Sequence, residues 1–227
     1  MVLDLAGAEP GQVESLAHGM TVATNALLEG NGARTVLVTT SGFTDIVEIG
    51  RQNRADLYRL RERRPDPLAP PELRVGADER MGPDGVIKAL SPDEARSVAD
   101  RVAGLEAESV AVCLLHADRH PAHEVSLGEA LRERLGPDVH VSLSHQVVGT
   151  FREYERAATT EVDAALSPLL GGYLARLARR CEDVGLPEAA IMQSSGGLTD
   201  LETASGHAAL TVLSGPAGGA AAATLVA

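Results

Sequence analysis

The chain has 227 residues, 44% hydrophobic and 23% charged, ordinary globular proportions that leave room for one large domain or two small ones. Aromatics make up only 2% and Trp is absent; no apolar run approaches the roughly 20 residues of a membrane span, so the core must be aliphatic and a transmembrane helix is excluded. With 32 acidic against 20 basic residues the formal charge is -12, a field that repels phosphate backbones and excludes nucleic acid as a partner.

Along the chain, Thr21 to Leu28 predicts a helical turn or two after His18-Gly19, stopped by Gly30, Asn31 and Gly32. Arg34 to Thr40 carries Val36, Leu37 and Val38 in one run and predicts a buried strand, with a short helix behind Ser41-Gly42. Arg51 to Pro71 has little periodicity and four prolines, which predicts an exposed excursion. Val75 to Arg80 and Val86 to Leu90 flank Gly82-Pro83-Asp84-Gly85, a turn suited to a β-hairpin. Ser91-Pro92-Asp93-Glu94 predicts an N-cap and a helix to about Leu105.

Ser109 to Leu115 is the most strand-like run, and Pro121 opens a helix to about Leu135 with Ala122, Val125 and Leu131 as the inward stripe. Val139 to Leu143 predicts another strand. Glu155 to Val184 is the longest helical stretch, with breaks expected at Ser167-Pro168 and Gly171-Gly172. Ala189 to Gln193 predicts a last strand and Gly215 to Val226 a last, Ala-rich helix. Helix and strand alternate with short connections, which predicts an α/β fold with a mixed sheet and flanking helices.

Lys88 is the single lysine and lacks the glycine spacing of a phosphate-binding P-loop. Two cysteines, Cys113 and Cys181, are too few for a disulfide framework or a zinc cluster, and the N-terminal residues carry no secretory signal. A reducing cytoplasm is the expected location.

Polar residues gather at predicted element ends. Gln193-Ser194-Ser195-Gly196-Gly197 follows a strand, where open α/β sheets bind ligands, although a tight turn that needs glycine explains it as well. Ser214-Gly215-Pro216 opens a helix whose free N–H groups suit an anion, while Gly218, Gly219 and the alanines suit close packing against a neighbour. His116, His120, His123 and Glu124 have a metal-ligand composition, yet the segment reads better as an exposed loop with Glu124 capping the next helix, so no metal is expected. Phe151 to Arg156 is either a surface ion-pair cluster or a source of arginine for a carboxylate or phosphate. Ser144 and His145 adjoin without a legible triad.

Several of these segments resemble the hydantoinase/oxoprolinase family in its ATP-binding, hydantoinase A-type subunit. The resemblance rests on residues 18–28 (HGMTVATNALL), Gly50-Arg51-Gln52-Asn53, Leu57-Tyr58, Cys113-Leu114-Leu115-His116 and Pro121-Ala122-His123-Glu124. It continues through Glu153-Tyr154-Glu155-Arg156, Thr159-Thr160, residues 192–197 (MQSSGG) and residues 214–219 (SGPAGG), all in the family's order. The chain departs from the usual pattern at Met20, Ser195 and Asp163.

The resemblance implies part of an actin-like ATPase (ribonuclease H-like) fold. Residues to about 150 would end the N-terminal hydantoinase/oxoprolinase region, and residues 151–227 would begin the hydantoinase A domain. It also implies ATP-dependent opening of a small cyclic amide, a hydantoin or 5-oxoproline, with ATP and Mg²⁺ in the full-length parent and a second, hydantoinase B-type, subunit or domain as partner. An acetone- or acetophenone-type carboxylase subunit shares the motifs and is the alternative; a noncatalytic interaction module is another. Such ATPases grip phosphates with two Asp-x-Gly-Gly-Thr loops, and neither motif occurs in these 227 residues. An internal fragment that is inactive and binds no nucleotide tightly is therefore expected. The residues implied in substrate or interdomain contacts are His18, Thr21, Asn25, Arg51, Arg152, Tyr154, Arg156, Ser194, Gly196 and Gly197, with Ser214, Gly215 and Gly218 near the nucleotide.

Overall fold

In Thr35–Thr40 five of six residues are β-branched and every one is buried, which suits a strand covered on both faces. The structure, a computed structural model, describes residues 9–52, Tyr58 and residues 66–226. In chain order its principal elements begin with β1 (Leu16–His18), α1 (Val22–Glu29), β2 (Thr35–Thr40), α2 (Ile46–Ile49), β3 (Arg74–Ala77), β4 (Arg80–Gly82) and β5 (Gly85–Lys88). They continue with α3 (Pro92–Ala103), β6 (Ser109–Cys113), α4 (Ala122–Leu135), β7 (His140–Leu143) and α5 (Ser144–Val147). The remainder are α6 (Glu153–Val184), β8 (Ala189–Met192), β9 (Leu198–Thr199), α7 (Leu201–Gly206) and α8 (Ser214–Val226). Contacts divide the chain into two units, Ala33–Ala165 and the paired segments Met1–Gly32 and Leu166–Ala227.

The unit Ala33–Ala165 holds a parallel sheet in the order β3-β2-β6-β7. Val36, Leu37, Val38, Val110, Ala111 and Val112 form its centre at 0% exposure, each large aliphatic side chain contributing about 1.5–3 kcal/mol by leaving water. The predicted cap of α3 is present: Ser91 Oγ accepts from Glu94 N at 3.1 Å. Ala95, Val98, Ala99 and Val102 then form its buried i, i+3, i+4, i+7 face.

Two expectations fail in this unit. Val75 to Arg80 is not one arm of a hairpin: β3 joins β2 in the parallel sheet, and the chain turns at Asp78-Glu79 before the β4–β5 hairpin. Of the inward face predicted for α4, Leu131 is buried but Ala122 and Val125 are exposed. Val125 is 38% exposed, and His123, Glu124, Leu127, Gly128 and Leu131 point inward. Burying two polar side chains is tolerable only because each finds partners, described below. The excursion predicted over Arg51 to Pro71 lies mostly outside the described residues.

In the other unit β1 pairs parallel with β8, and β9 adds antiparallel. β1, β9 and α7 are too short to show periodicity, and the sequence did not predict them. α6 runs unbroken through Pro168 and Gly171-Gly172. Proline removes one backbone hydrogen bond there, but Leu166, Leu170 and Leu174, spaced by four, are all buried and hold the helix together. Gly30 ends α1 at φ 70°, the left-handed conformation expected of that glycine.

Glu161, on the part of α6 within Ala33–Ala165, is 3% exposed, and its Oε1 has no hydrogen-bond partner among the described residues. Burial pushes its carboxyl up to about 7, against the lowering pull of a backbone hydrogen bond from Ala69 and of the Arg74 charge. Because the folded chain holds this proton more tightly than the unfolded chain, whose value is 4.5, stability is greatest below the unfolded value and falls as pH rises through the window to about 7. Glu161→Gln is expected to remove that decline and to be more stable than the original chain at pH 8. Urea unfolding across this range checks it; an unchanged pH profile would show that Glu161 is not the cause.

Candidate functional site

In the unit of Met1–Gly32 and Leu166–Ala227, β1 and β8 run parallel, so both carboxyl ends open at one edge. The turn His18 to Thr21 leaves β1 there, the loop Gln193 to Gly197 leaves β8, and α8 begins beside them. Ser214, 0% exposed, joins the turn to the helix: its Oγ accepts from Met20 N at 3.3 Å and donates to Met20 O at 3.1 Å. A Cβ at Gly215 would lie 2.7 Å from Thr21 Cγ2 and 3.1 Å from Met20 O, and one at Gly218 would lie 3.6 Å from Met192 Cε. These glycines therefore permit a close approach of α8 to the β1 turn, the packing role that their sequence suggested.

The β8 loop is tied to the same region. Ser194 N and Oγ both donate to Leu210 O, at 2.7 and 2.9 Å, and Leu213 N donates to Ser194 Oγ at 3.2 Å. Gly196, at φ +90°, reverses the loop so that Gln193 N reaches Gly197 O at 2.7 Å. His18 Nε2 lies 2.8 Å from the Tyr173 hydroxyl, and the two rings stack with centroids 5.9 Å apart. Burial holds His18 below its ordinary value, which favours the neutral ring at neutral pH. Thr21 and Asn25 are exposed.

In the unit Ala33–Ala165 a buried polar layer covers the carboxyl ends of β2, β6 and β7. Glu79, after β3, accepts from Thr40 Oγ1 and pairs with His123 Nδ1 at 2.6 Å, while Leu90 N donates to His123 Nε2 at 3.4 Å. Those two bonds assign the ring proton to Nδ1. Glu124, 0% exposed, accepts from Leu114 N at 2.8 Å, Ser144 Oγ at 2.6 Å, and His145 through N at 3.1 Å and Nδ1 at 2.7 Å. It is thus a buried anchor of two strand ends, not the exposed helix cap expected.

Arg156 closes the layer at 0% exposure. Its Nε donates to Ser144 Oγ at 3.0 Å, Nη1 to Thr150 O at 2.8 Å and, more weakly, to Asp118 Oδ1 at 3.5 Å, and Nη2 to Leu114 O at 2.7 Å. All three nitrogens face protein atoms, so this arginine has no surface to offer a ligand. It ties the loop after β6 to the segment after β7. Cys113 sits beside it; burial pushes that thiol up to about 12, against the lowering pull of the Arg156 charge, so it stays protonated and unreactive.

Above the layer lies a groove of about 600 Å³. Arg51 enters from the segment after α2, Arg119 and Asp118 from the loop after β6, and Phe151, Arg152 and Glu155 from the start of α6. Arg51 Nε donates to Glu155 Oε1 in an ion pair. The Arg152 guanidinium lies over the Phe151 ring, 5.5 Å from its centroid. Tyr154, half-buried in the first turn of α6, does not line the groove. Asn53 and Leu57 of the sequence motifs lie outside the described residues.

The predicted site residues therefore fall into two groups. His18, Thr21, Ser194, Gly196, Gly197, Ser214, Gly215 and Gly218 surround the β1, β8 and α8 junction, whereas Arg51 and Arg152 share the groove with Arg156 behind it. Sequence reasoning missed Tyr173, which directly follows a glycine pair read as a helix break, and Asp118 and Arg119, read as an ordinary exposed loop. Among the described residues no group of three or more His, Cys, Asp or Glu side chains is placed to hold a metal ion.

The family model for the hydantoinase/oxoprolinase N-terminal region matches residues 2–135, and that for hydantoinase/oxoprolinase matches residues 156–227. The chain is 34% identical to 5-oxoprolinase 1 of Arabidopsis thaliana over 229 residues, covering 92% of this chain and 18% of that protein. It superposes on the crystal structure of the ATP-dependent caprolactamase from Pseudomonas jessenii with a TM-score of 0.84 at 30% identity, covering 95% of this chain and 32% of that one. On nucleotide-free acetone carboxylase the TM-score is 0.86 at 24% identity, over 99% of this chain and 34% of that one, a likeness of fold alone. These structures carry the α/β, actin-like ATPase architecture that the sequence led us to expect. The chain spans about a third of the length of the two solved structures and less than a fifth of the oxoprolinase.

Proposed function

Because this chain belongs to the hydantoinase/oxoprolinase family, we propose that it supplies part of an ATP-dependent enzyme that opens a small cyclic amide. Residues to about 150 close the family's N-terminal region and residues 151–227 begin its hydantoinase A domain. A second, hydantoinase B-type, subunit or domain completes the enzyme, and the chain works in the cytoplasm. The observation that carries the reading is the junction where the ends of parallel strands β1 and β8 meet the glycine-bearing start of α8, the edge at which open α/β sheets take ligands.

The chemistry follows from amide resonance, which makes the ring carbonyl a poor electrophile. Transfer of the γ-phosphoryl group of ATP to the carbonyl oxygen makes that oxygen a leaving group. Water then adds to the carbon and the ring C–N bond breaks, the nitrogen leaving as an amine, which gives an acyl phosphate; a second water hydrolyses it, so that the ring-opened acid, ADP and phosphate result. Mg²⁺ would accompany the triphosphate and neutralise its charge. The described residues hold no cluster that fits the ion, so no step is assigned to it here. Within this chain, neutral His18, bridged to Tyr173, orients polar groups at the junction, and Ser214 holds the β1 turn against α8.

The test is turnover by the enzyme assembled from the full-length parent of this polypeptide and its second subunit. Phosphate release is expected to match ring opening of a cyclic amide one for one, and to stop without ATP. Ring opening without ATP would sink the reading, and turnover that requires bicarbonate and a ketone would move the protein to the carboxylases. In calorimetry the 227 residues alone are expected to bind Mg-ATP no more than weakly.

A further inference from the structure

Two serine hydroxyls at the β1 and β8 junction are spent inside the fold. Ser214 Oγ accepts from Met20 N and donates to Met20 O, and Ser194 Oγ donates to Leu210 O and accepts from Leu213 N. His18, the last residue of β1, is spent on one side only. Its half-buried ring makes a single side-chain hydrogen bond, between Nε2 and the Tyr173 hydroxyl at 2.8 Å, and the two rings stack at 25°. Among the described residues Nδ1 has no partner, and the Tyr173 hydroxyl has none besides His18.

A neutral imidazole carries one donor and one acceptor, and the partner of one nitrogen decides the role of the other. If Nε2 held the proton, the phenolic O–H of Tyr173 would find no acceptor in the protein. A phenol titrates near about pH 10 and an imidazolium near about 6.5, so the phenol is the better donor of the two and the imidazole the better acceptor. The Tyr173 hydroxyl therefore donates to Nε2, and burial, which disfavours the charged ring, leaves one proton, on Nδ1. A half-turn of the ring would set Cε1 against the hydroxyl and lose the bond, so the same contact fixes which way the ring faces. We propose that Tyr173 is a positioning residue that holds His18 as its Nδ1–H tautomer, and that this N–H donates to an oxygen of the bound ligand. Carbonyl and phosphoryl oxygens share that acceptor chemistry. A neutral donor held in place serves either, because its bond strengthens as negative charge builds on the oxygen. The inference deepens the proposed function and rests on it for the identity of the ligand; the tautomer is a property of the chain alone.

The experiment reads the tautomer by nitrogen NMR of the histidine rings in the 227-residue chain, at a pH where His18 is neutral. His18→Asn identifies the His18 signals, and circular dichroism establishes that each variant is folded. A protonated Nδ1 and a bare Nε2 are expected. Tyr173→Phe keeps the stacked ring and removes only the hydroxyl, and it is expected to release a mixture of the two tautomers. In the full-length parent with its second subunit, calorimetry with a cyclic amide alone and with Mg-ATP alone locates the acceptor. Tyr173→Phe is expected to weaken one of the two about fivefold, the size of one neutral hydrogen bond: the amide if the donor meets a carbonyl oxygen, Mg-ATP if it meets a phosphoryl oxygen. His18→Asn, whose amide nitrogen stands near the place of Nδ1, should keep more of that affinity than His18→Leu. A proton on Nε2, a tautomer indifferent to Tyr173→Phe, unchanged affinity for both ligands, or equal weakening of both would each overturn the assignment. The tautomer is read without ATP or turnover, so its failure leaves the proposed ring opening intact, and failure of ring opening leaves the tautomer standing.

Discussion

Arg156→Met is expected to lower the unfolding free energy of the chain by about 3–5 kcal/mol, the range for removing one partner from a buried charged network. Methionine has a comparable length, so little volume is lost and the effect isolates the guanidinium. Without it the carbonyls of Leu114 and Thr150 lose their recorded side-chain donor, Ser144 loses one partner, and the buried Glu124 carboxylate loses the cation nearest its hydroxyl partner. Leu114 O keeps a bond from Ala117 N at 3.4 Å and Thr150 is exposed, so the loss falls mainly on the buried Ser144 and Glu124, where an unmet polar group costs on the order of 1–3 kcal/mol. Arg156→Lys keeps the charge but cannot span strand ends and loop with one nitrogen, so an intermediate loss is expected. Urea unfolding followed by circular dichroism checks both. A loss under about 1 kcal/mol for Arg156→Met would mean that the layer is ornamental to the fold and that the groove above it needs another explanation for its shape.

The contrast between this layer and the aliphatic core explains what could be read from the sequence. Val36 to Val38 and Val110 to Val112 declare their strands because apolar runs and β-branched residues act locally. Ser91-Pro92 declares the start of α3 for the same reason. The helix α4 and its buried Leu131 were legible, but the rest of its inward face was not, because periodicity arguments look for apolar residues and this helix buries His123 and Glu124 while exposing Val125. Thr40, Glu79, Glu124, Ser144 and Arg156 come from five segments up to 116 residues apart (156 - 40). Only the strand order β3-β2-β6-β7 brings them together, and nothing local encodes that order. The groove has the same history. Arg51 and Arg152 entered the reading through motif resemblance, whereas Arg119 was missed because an arginine in a loop is by itself unremarkable until the sheet sets it beside two others. The β1 and β8 junction was half legible: its glycines were visible as glycines, but the surfaces they accommodate lie almost two hundred residues away in sequence, as in the 194-residue separation of Met20 and Ser214.

That separation makes Gly215 the most informative position in its unit. Gly215→Ala should stabilise α8 if only helix propensity mattered, since alanine in a helix interior is favoured over glycine by roughly 1 kcal/mol. The structure sets a larger penalty against that gain. The new methyl would sit 2.7 Å from Thr21 Cγ2, 3.1 Å from Met20 O and 3.4 Å from Met20 C. Thr21 is β-branched and has few rotamers to retreat into, and Met20 is fixed by its two bonds to Ser214. Relief must come from moving α8 away from the β1 turn, which stretches those bonds. A net loss of about 1–3 kcal/mol is therefore expected, as for other overpacked sites, together with loss of ATP-dependent turnover in the assembled enzyme. Gly219→Ala is the matched control, four residues along the same helix, where an added Cβ meets nothing within 4 Å; it should be neutral or slightly stabilising and leave turnover unchanged. If both variants behave alike in thermal unfolding and in turnover, the close approach of α8 to the β1 turn is not what the glycine at 215 serves, and the junction loses its claim to be the edge that faces the reaction.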